Sequence, residues 1–236
     1  MERALKLSAY VGERDRAAGG LLADGLLDLY ERANVRTSVM LRGIEGFGLK
    51  HSVHTDRQLT LSEDLPVVAI ALDSAQRIEL LLPQVAALCG NGLVTLECAR
   101  LAELSDGAVA PLGERELAEL AHGQDALKLT VFVGRLERAG ERPAYVAVVD
   151  ALRRSGAWGA SVLFGLDGAL SGERARARML ARNARVPLMI ISVAPVVGIA
   201  RALPELGRLL SERAIALERV QVCKRCLLYT SDAADE

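Results

Sequence analysis

The chain has 236 residues, 51% of them hydrophobic and 25% charged, with a formal net charge of −1. That balance excludes a dedicated nucleic-acid binder, which carries a basic face, and aromatics at 3% leave few platforms for stacking single strands. The longest apolar run, Met189 to Ala200, contains Pro195 and is shorter than the ~20 residues that cross a bilayer, so no membrane insertion is expected.

The N-terminus, Met1-Glu2-Arg3-Ala4-Leu5-Lys6, lacks the apolar core of an export signal. Cys89, Cys98, Cys223 and Cys226 are therefore expected as reduced thiols in a cytoplasm. Cys223 and Cys226 have CxxC spacing, but without a second pair a zinc site would be incomplete. Residues 226–236 resemble translated sequencing-adapter sequence and are set aside from the reading of the fold, which removes half of the CxxC.

In chain order, Leu5 to Val11 alternates as a half-buried strand and runs into a charged loop, Gly12 to Gly20. Leu22, Leu26, Leu29 and Tyr30 recur at helical spacing, with Asp24, Asp28 and Arg32 on the other side. Thr37 to Leu41 is a second strand, and Leu65 to Leu72 a third in which Pro66 is tolerable at the start. Asp73 or Ser74 caps a helix carrying Ile78, Leu81, Leu82, Val85 and Leu88. Gly90-Asn91-Gly92 ends it, and Leu93 to Glu97 closes the series.

The series then repeats. Ala4-Leu5-Lys6-Leu7 recurs as Ala126-Leu127-Lys128-Leu129, an offset of 122 that also superposes Gly12 on Gly134, Gly43 on Gly165 and Gly46 on Gly168. After one deletion an offset of 121 pairs Pro66 with Pro187, Pro83 with Pro204 and Glu97 with Glu218. The second series predicts elements over 127–133, 144–155, 160–164, 188–193, 196–211 and 215–222. Residues 102–125 read as a linker with a short amphipathic segment, Glu114 to Ala121. A βαββαβ order predicts an α+β fold of two tandem ferredoxin-like sandwiches over 1–101 and 126–225, each an antiparallel sheet with both helices on one face.

The most specific string is Arg42-Gly43-Ile44-Glu45-Gly46-Phe47-Gly48, which follows a strand. It is followed by His54-Thr55-Asp56-Arg57 and Leu61-Ser62-Glu63-Asp64-Leu65-Pro66-Val67. With Leu5-Lys6-Leu7, Gly12-Glu13-Arg14-Asp15 and Gly90-Asn91-Gly92-Leu93-Val94-Thr95, these residues resemble the uncharacterised PII-like family (domain of unknown function 190). The first copy matches throughout and the second in outline.

That family is similar to the PII signalling proteins, trimers whose relatives bind adenine nucleotides in clefts between subunits and contact partners through a loop after the second strand. The resemblance implies a regulatory protein taking AMP, ADP or ATP and signalling through residues 43–64. It also implies a homo-oligomer (a trimer or a pseudo-hexamer of domains) with a membrane transporter or an enzyme as partner.

Gly43, Gly46 and Gly48 could present unblocked amides to a phosphate, or form only a turn and loop. Gly90, Asn91 and Gly92 fall where such proteins place a phosphate-contacting loop, or are a helix cap and turn. Arg14, Arg42 and Arg57 are cations suited to an anionic ligand, Arg42 being closest to the glycines. Glu45 could orient a ribose. His54, three residues from His51, is part of an incomplete metal pair or an exposed histidine. No Ser/His/Asp order, P-loop or HExxH string is present, and no enzymatic activity is expected.

The second copy departs from the pattern. Phe47-Gly48 becomes Ala169-Leu170, Gly90-Asn91-Gly92 becomes Ser211-Glu212-Arg213, and Arg174, Arg176, Arg178, Arg182 and Arg185 are gained. This copy either completes an interface with its sheet edge and arginines or carries a solvated, partner-binding loop. The alternative reading for the whole chain is an oligomeric assembly module with no small ligand.

Overall fold

A computed structural model describes residues 2–17, 19–47, 53–55, 65–90, 92–102, 104–105, 108–109, 113–177, 183–210 and 215–223. The first copy comprises β1 (Glu2–Gly12), α1 (Leu22–Arg32), β2 (Thr37–Arg42), β3 (Pro66–Ser74), α2 (Ala75–Cys89) and β4 (Leu93–Ala102). A connecting helix, α3 (Glu114–Ala121), precedes β5 (Ala126–Gly134), α4 (Ala144–Arg154) and β6 (Gly159–Phe164). Two strands that the sequence reading did not foresee follow, β7 (Asp167–Leu170) and β8 (Glu173–Arg174), and then β9 (Pro187–Pro195), α5 (Val196–Leu209) and β10 (Ile215–Arg219).

Each copy forms the expected antiparallel sheet, ordered β4-β1-β3-β2 in the first and β10-β5-β9-β6 in the second. The local reasons are those the sequence carries. Ser74 accepts the Arg77 N–H and starts α2, while the positive φ of Gly90 ends it. Pro66 and Pro187 stand first in β3 and β9, where a missing donor is tolerated. Leu22, Leu26, Leu29 and Tyr30 are all buried against the first sheet.

The two sheets are not separate. The closing strands β4 and β10 pair with each other, Ala102 opposite Ile215 and Arg100 opposite Leu217, and fuse the copies into one ten-stranded sheet. Its order is β6-β9-β5-β10-β4-β1-β3-β2-β7-β8. Because β6 and β7 are consecutive in sequence yet lie near opposite ends of that order, the sheet must curl until its ends approach. One face is covered by helices, α1 and α2 over the first copy and α3, α4 and α5 over the second. Leu117 and Ala121 place α3 in the second copy's core. The other face turns inward, where Ala4, Val39, Leu72 and Leu101 meet Phe132, Leu170, Met189 and Ala216 in one core drawn from both copies.

Along β1 and β5 the helix-facing residues are Leu5, Leu7, Ala9 and Leu127, Leu129, Val131, so Lys6 and Lys128 must face inward. There Lys6 Nζ lies 2.6 Å from Glu218 and 2.6 Å from Glu97, and Lys128 lies 3.0 Å from Glu218. Thr130 donates a further hydrogen bond to Glu218 at 3.3 Å. The four charges are repeat counterparts, so each lysine engages its own copy's glutamate and the other's. Burial by itself would lower the Lys6 ammonium, but the hydrogen bond and charge of Glu218, with Glu97, raise it above its ordinary value. Burial would raise Glu97, and Lys6 and Lys128 outweigh it and hold the carboxyl low.

A second clamp joins β7–β8 to the first copy. Asp167, fully buried, accepts Nε and a terminal nitrogen of Arg174 at 3.0 and 2.8 Å. The other Arg174 terminus reaches Asp28 and Glu31 of α1 at 2.6 and 2.9 Å, and Arg176 reaches Asp24 at 2.8 Å. Of the five arginines gained by the second copy, Arg174 and Arg176 thus complete an interface within the chain. Arg185 pairs with Glu173 on the surface, and Arg178 and Arg182 lie outside the described residues.

Removing Lys6 leaves the buried Glu218 short of a partner, so Lys6→Met is expected to cost about 3–5 kcal/mol in urea denaturation. Lys6→Met/Glu218→Leu should recover part of that loss, a coupling read directly from the double-mutant cycle. The sign of the pH dependence follows from the shifts. A lowered Glu97 stabilises above the ordinary glutamate range and loses its contribution as pH falls through its folded value. A raised Lys6 contributes fully at neutral pH and loses its contribution only as pH rises past its folded value. The melting temperature should therefore drop below about pH 4.3, and Glu97→Gln should flatten that acid limb.

Candidate functional site

The register of the first sheet decides which loops meet. β1 ends at Gly12 opposite Pro66, the first residue of β3, while Tyr10 lies opposite Leu93, the first residue of β4. β2 ends at Arg42 opposite Val67. The loops after β1 and β2 and the one before β4 therefore gather at one end of the first copy. This convergence brings Arg14, Arg42, Gly43, Glu45, Gly90 and Gly92 to the same rim. Gly48, Arg57 and Asn91 lie outside the described residues, and Gly46 and His54 are paired backbone positions in a small hairpin, Glu45–Phe47 with Val53–Thr55.

The loop after β1 is a built turn. The Gly12 N–H donates to Asp15 Oδ2 at 2.7 Å, the Glu13 N–H to the Leu65 carbonyl at 2.8 Å, and the Leu22 N–H to the Asp15 carbonyl at 2.7 Å. It holds Glu13 where Arg42 Nε donates to both carboxylate oxygens at 3.1 Å. Both side chains are more than one third exposed, so this pair positions the arginine at the rim and adds little stability.

The glycines serve chiefly the chain itself. The Gly43 N–H donates to the Pro66 carbonyl at 2.8 Å, and a Cβ at Gly43 would lie 2.7 Å from Pro66 Cγ. The Gly90 N–H donates to the Ala86 carbonyl and the Gly92 N–H to the Cys89 carbonyl. Those three amides are committed to the ladder and to the end of α2. Arg42 and Arg14 are the cations that these loops bring to the rim.

The corresponding end of the second copy keeps the architecture and changes the chemistry. The Gly134 N–H donates to Glu137 at 2.8 Å, the counterpart of the Gly12–Asp15 turn. At the 122 offset, Glu13 and Arg42 become Arg135 and Phe164, and an ion pair is replaced by a guanidinium 5.3 Å from a ring centroid. Arg14 becomes Leu136, which is exposed. A cleft of about 270 Å³ opens there between Leu136, Glu137, Leu170 and Arg185.

Among the described residues, no cluster of three or more His, Cys, Asp or Glu side chains could hold a metal ion. No helix there is long and apolar enough to cross a membrane.

Comparison with known proteins matches one family model twice, over residues 4–101 and 126–222: DUF190, described as an uncharacterized ACR. The chain belongs to the DUF190 family. Among solved structures it is similar to the ligand-free regulatory subunit of aspartate kinase from Thermus thermophilus. The identity is 12%, over 89% of this chain and 94% of that one, at a TM-score of 0.32. A structure described as an unknown protein from Galdieria sulphuraria matches at 13% identity, over 93% and 99% of the two chains, at a TM-score of 0.23.

The close approach at Gly43 makes a direct expectation. Gly43→Ala should lower stability in the absence of any ligand, by about 1–3 kcal/mol, because Pro66 at a strand start cannot easily yield. Unchanged denaturation would show that Pro66 yields and that the close approach does not require glycine at 43.

Proposed function

We propose that this protein is a non-enzymatic regulatory module that binds a small anionic ligand, an adenine nucleotide, at the rim of its first copy. Occupancy would be passed to a protein partner, a transporter or an enzyme, through residues 43–64. The observation that carries this reading is the asymmetry between the copies. Arg14 and Arg42 stand on converging loops at one sheet end of the first copy, whereas Leu136 and Phe164 occupy their places in the second. A guanidinium at such a rim offers a phosphate two parallel donors, and its ion pair with Glu13 is exposed enough to exchange for a ligand. Resemblance to the PII proteins supplies the choice of nucleotide.

A second reading, an assembly module without a small ligand, is favoured by the commitment of the Gly43, Gly90 and Gly92 amides to internal hydrogen bonds. A thermal-shift panel with AMP, ADP, ATP, cyclic nucleotides and fluoride separates the two. A ligand that binds only the folded state at 100 times its dissociation constant adds about 2.7 kcal/mol. The regulatory reading expects such a shift for one nucleotide and its loss in Arg42→Ala or Arg14→Ala, exposed side chains at the end of β2 and in the turn after β1. A flat panel would favour the assembly module.

A further inference from the structure

The β7 strand of the second copy lies along the outer edge of β2 in the first, Asp167 opposite Met40 and Leu170 opposite Thr37. The Met40 carbonyl accepts the Leu166 N–H at 2.8 Å, and the Arg36 carbonyl accepts the Gly172 N–H at 3.0 Å. The approach needs glycines at two positions. A Cβ at Gly165 would stand 2.7 Å from Val39 Cγ2 of β2 and 2.4 Å from the Pro187 carbonyl oxygen, and one at Gly168 would stand 2.2 Å from the Ser38 carbonyl oxygen.

The repeat gives this contact a counterpart. The segment equivalent to Asp167–Leu170 is Glu45 to Gly48, which keeps the same glycine pair as Gly43 and Gly46. The edge equivalent to β2 is β6, and there the contact is missing: β6 ends the sheet order, with β9 as its one strand partner among the described residues. The Gly165 N–H bonds to Pro187, so by antiparallel alternation Gly159, Ser161 and Leu163 bond to β9. Ala160, Val162 and Phe164 turn their backbone groups outward.

The inward side at β6 is open as well. Val39, Ile70 and Leu72 are buried in one core with Leu170, but their counterparts Ser161, Ile191 and Val193 line a cleft of about 720 Å³ with Trp158, Val220 and Val222. Phe132 is buried in the core that holds Leu170, whereas its counterpart Tyr10 is 41% exposed. Edge and cleft together form the empty version of a site whose filled version is present in the same molecule.

We propose that β6 is a docking edge for a second copy of this chain, and that the Glu45–Phe47 strand of that copy fills it as β7 fills β2. The donor is another molecule because within one chain β6 ends the sheet order, and Glu45–Phe47 pairs with Val53–Thr55 and not with β6. Gly43 and Gly46 then serve close backbone approach between strands, and reciprocal exchange closes a dimer.

The test is sedimentation equilibrium of the full chain, with variants of donor and acceptor. Wild type should self-associate. Ala160→Pro removes one outward N–H without breaking the β9 ladder, and Gly46→Val blocks the donor; each should weaken association at least tenfold with little change in melting temperature. Should Ala160→Pro fail to fold, Ser161→Glu places a charge in the cleft and should act the same way. A wild type that stays monomeric at its highest soluble concentration overturns the proposal, as does association unchanged in both the donor and the acceptor variants. Slow amide exchange at Ala160 and Val162 in a monomeric sample would likewise overturn it, by showing that the chain covers its own edge.

Discussion

The structure depends on the pairing of β4 with β10, where two copies of one sequence share a sheet. Strand pairing alone would tolerate a slip, but the inward face at this seam carries charge. Lys6 and Glu97 face each other across β1 and β4, and Lys128 and Glu218 across β5 and β10, so each copy brings one cation and one anion. Only one register places all four within reach of one another. Such an arrangement contributes less to net stability than apolar packing would, since desolvation offsets much of the attraction. Its larger effect is on uniqueness, because any other pairing buries a charge without its partner.

The second constraint is the closure of the curled sheet. β7 crosses from one copy to the edge of the other, and its backbone lies so close to Ser38 that only glycine fits at position 168. Asp167 is fully buried there and is satisfied by Arg174, whose remaining donor binds two carboxylates of α1. The second copy thus has Leu136 and Phe164 where the first has Arg14 and Arg42, and its own Arg174 and Arg176 tie it to its neighbour.

Much of this was legible in the sequence. Helix spacing, the Ser74 cap, strand-initial prolines and the repeat offset each have local causes, and they placed the elements of both copies in order. Fusion of the sheets was not legible, because an edge strand that pairs with another domain has the same alternation as one facing water. Lys6 and Lys128 read as polar positions on a half-buried strand, and nothing local says that the polar face is enclosed. The arginines at 174 and 176 could be read as interface or as solvated loop until Asp24, Asp28 and Asp167 were found around them. The glycine string was legible as a close backbone approach, but what approaches Gly43 is Pro66, and what approaches Gly168 is another strand.

If the two copies share one seam, one enclosed core and one set of crossed charges, they must unfold together despite being separable in sequence. Differential scanning calorimetry of the full chain at neutral pH tests this directly. The account predicts one transition in which the calorimetric and van't Hoff enthalpies agree. Two resolved transitions, or a van't Hoff enthalpy near half the calorimetric one, would show that the copies melt independently and would contradict it.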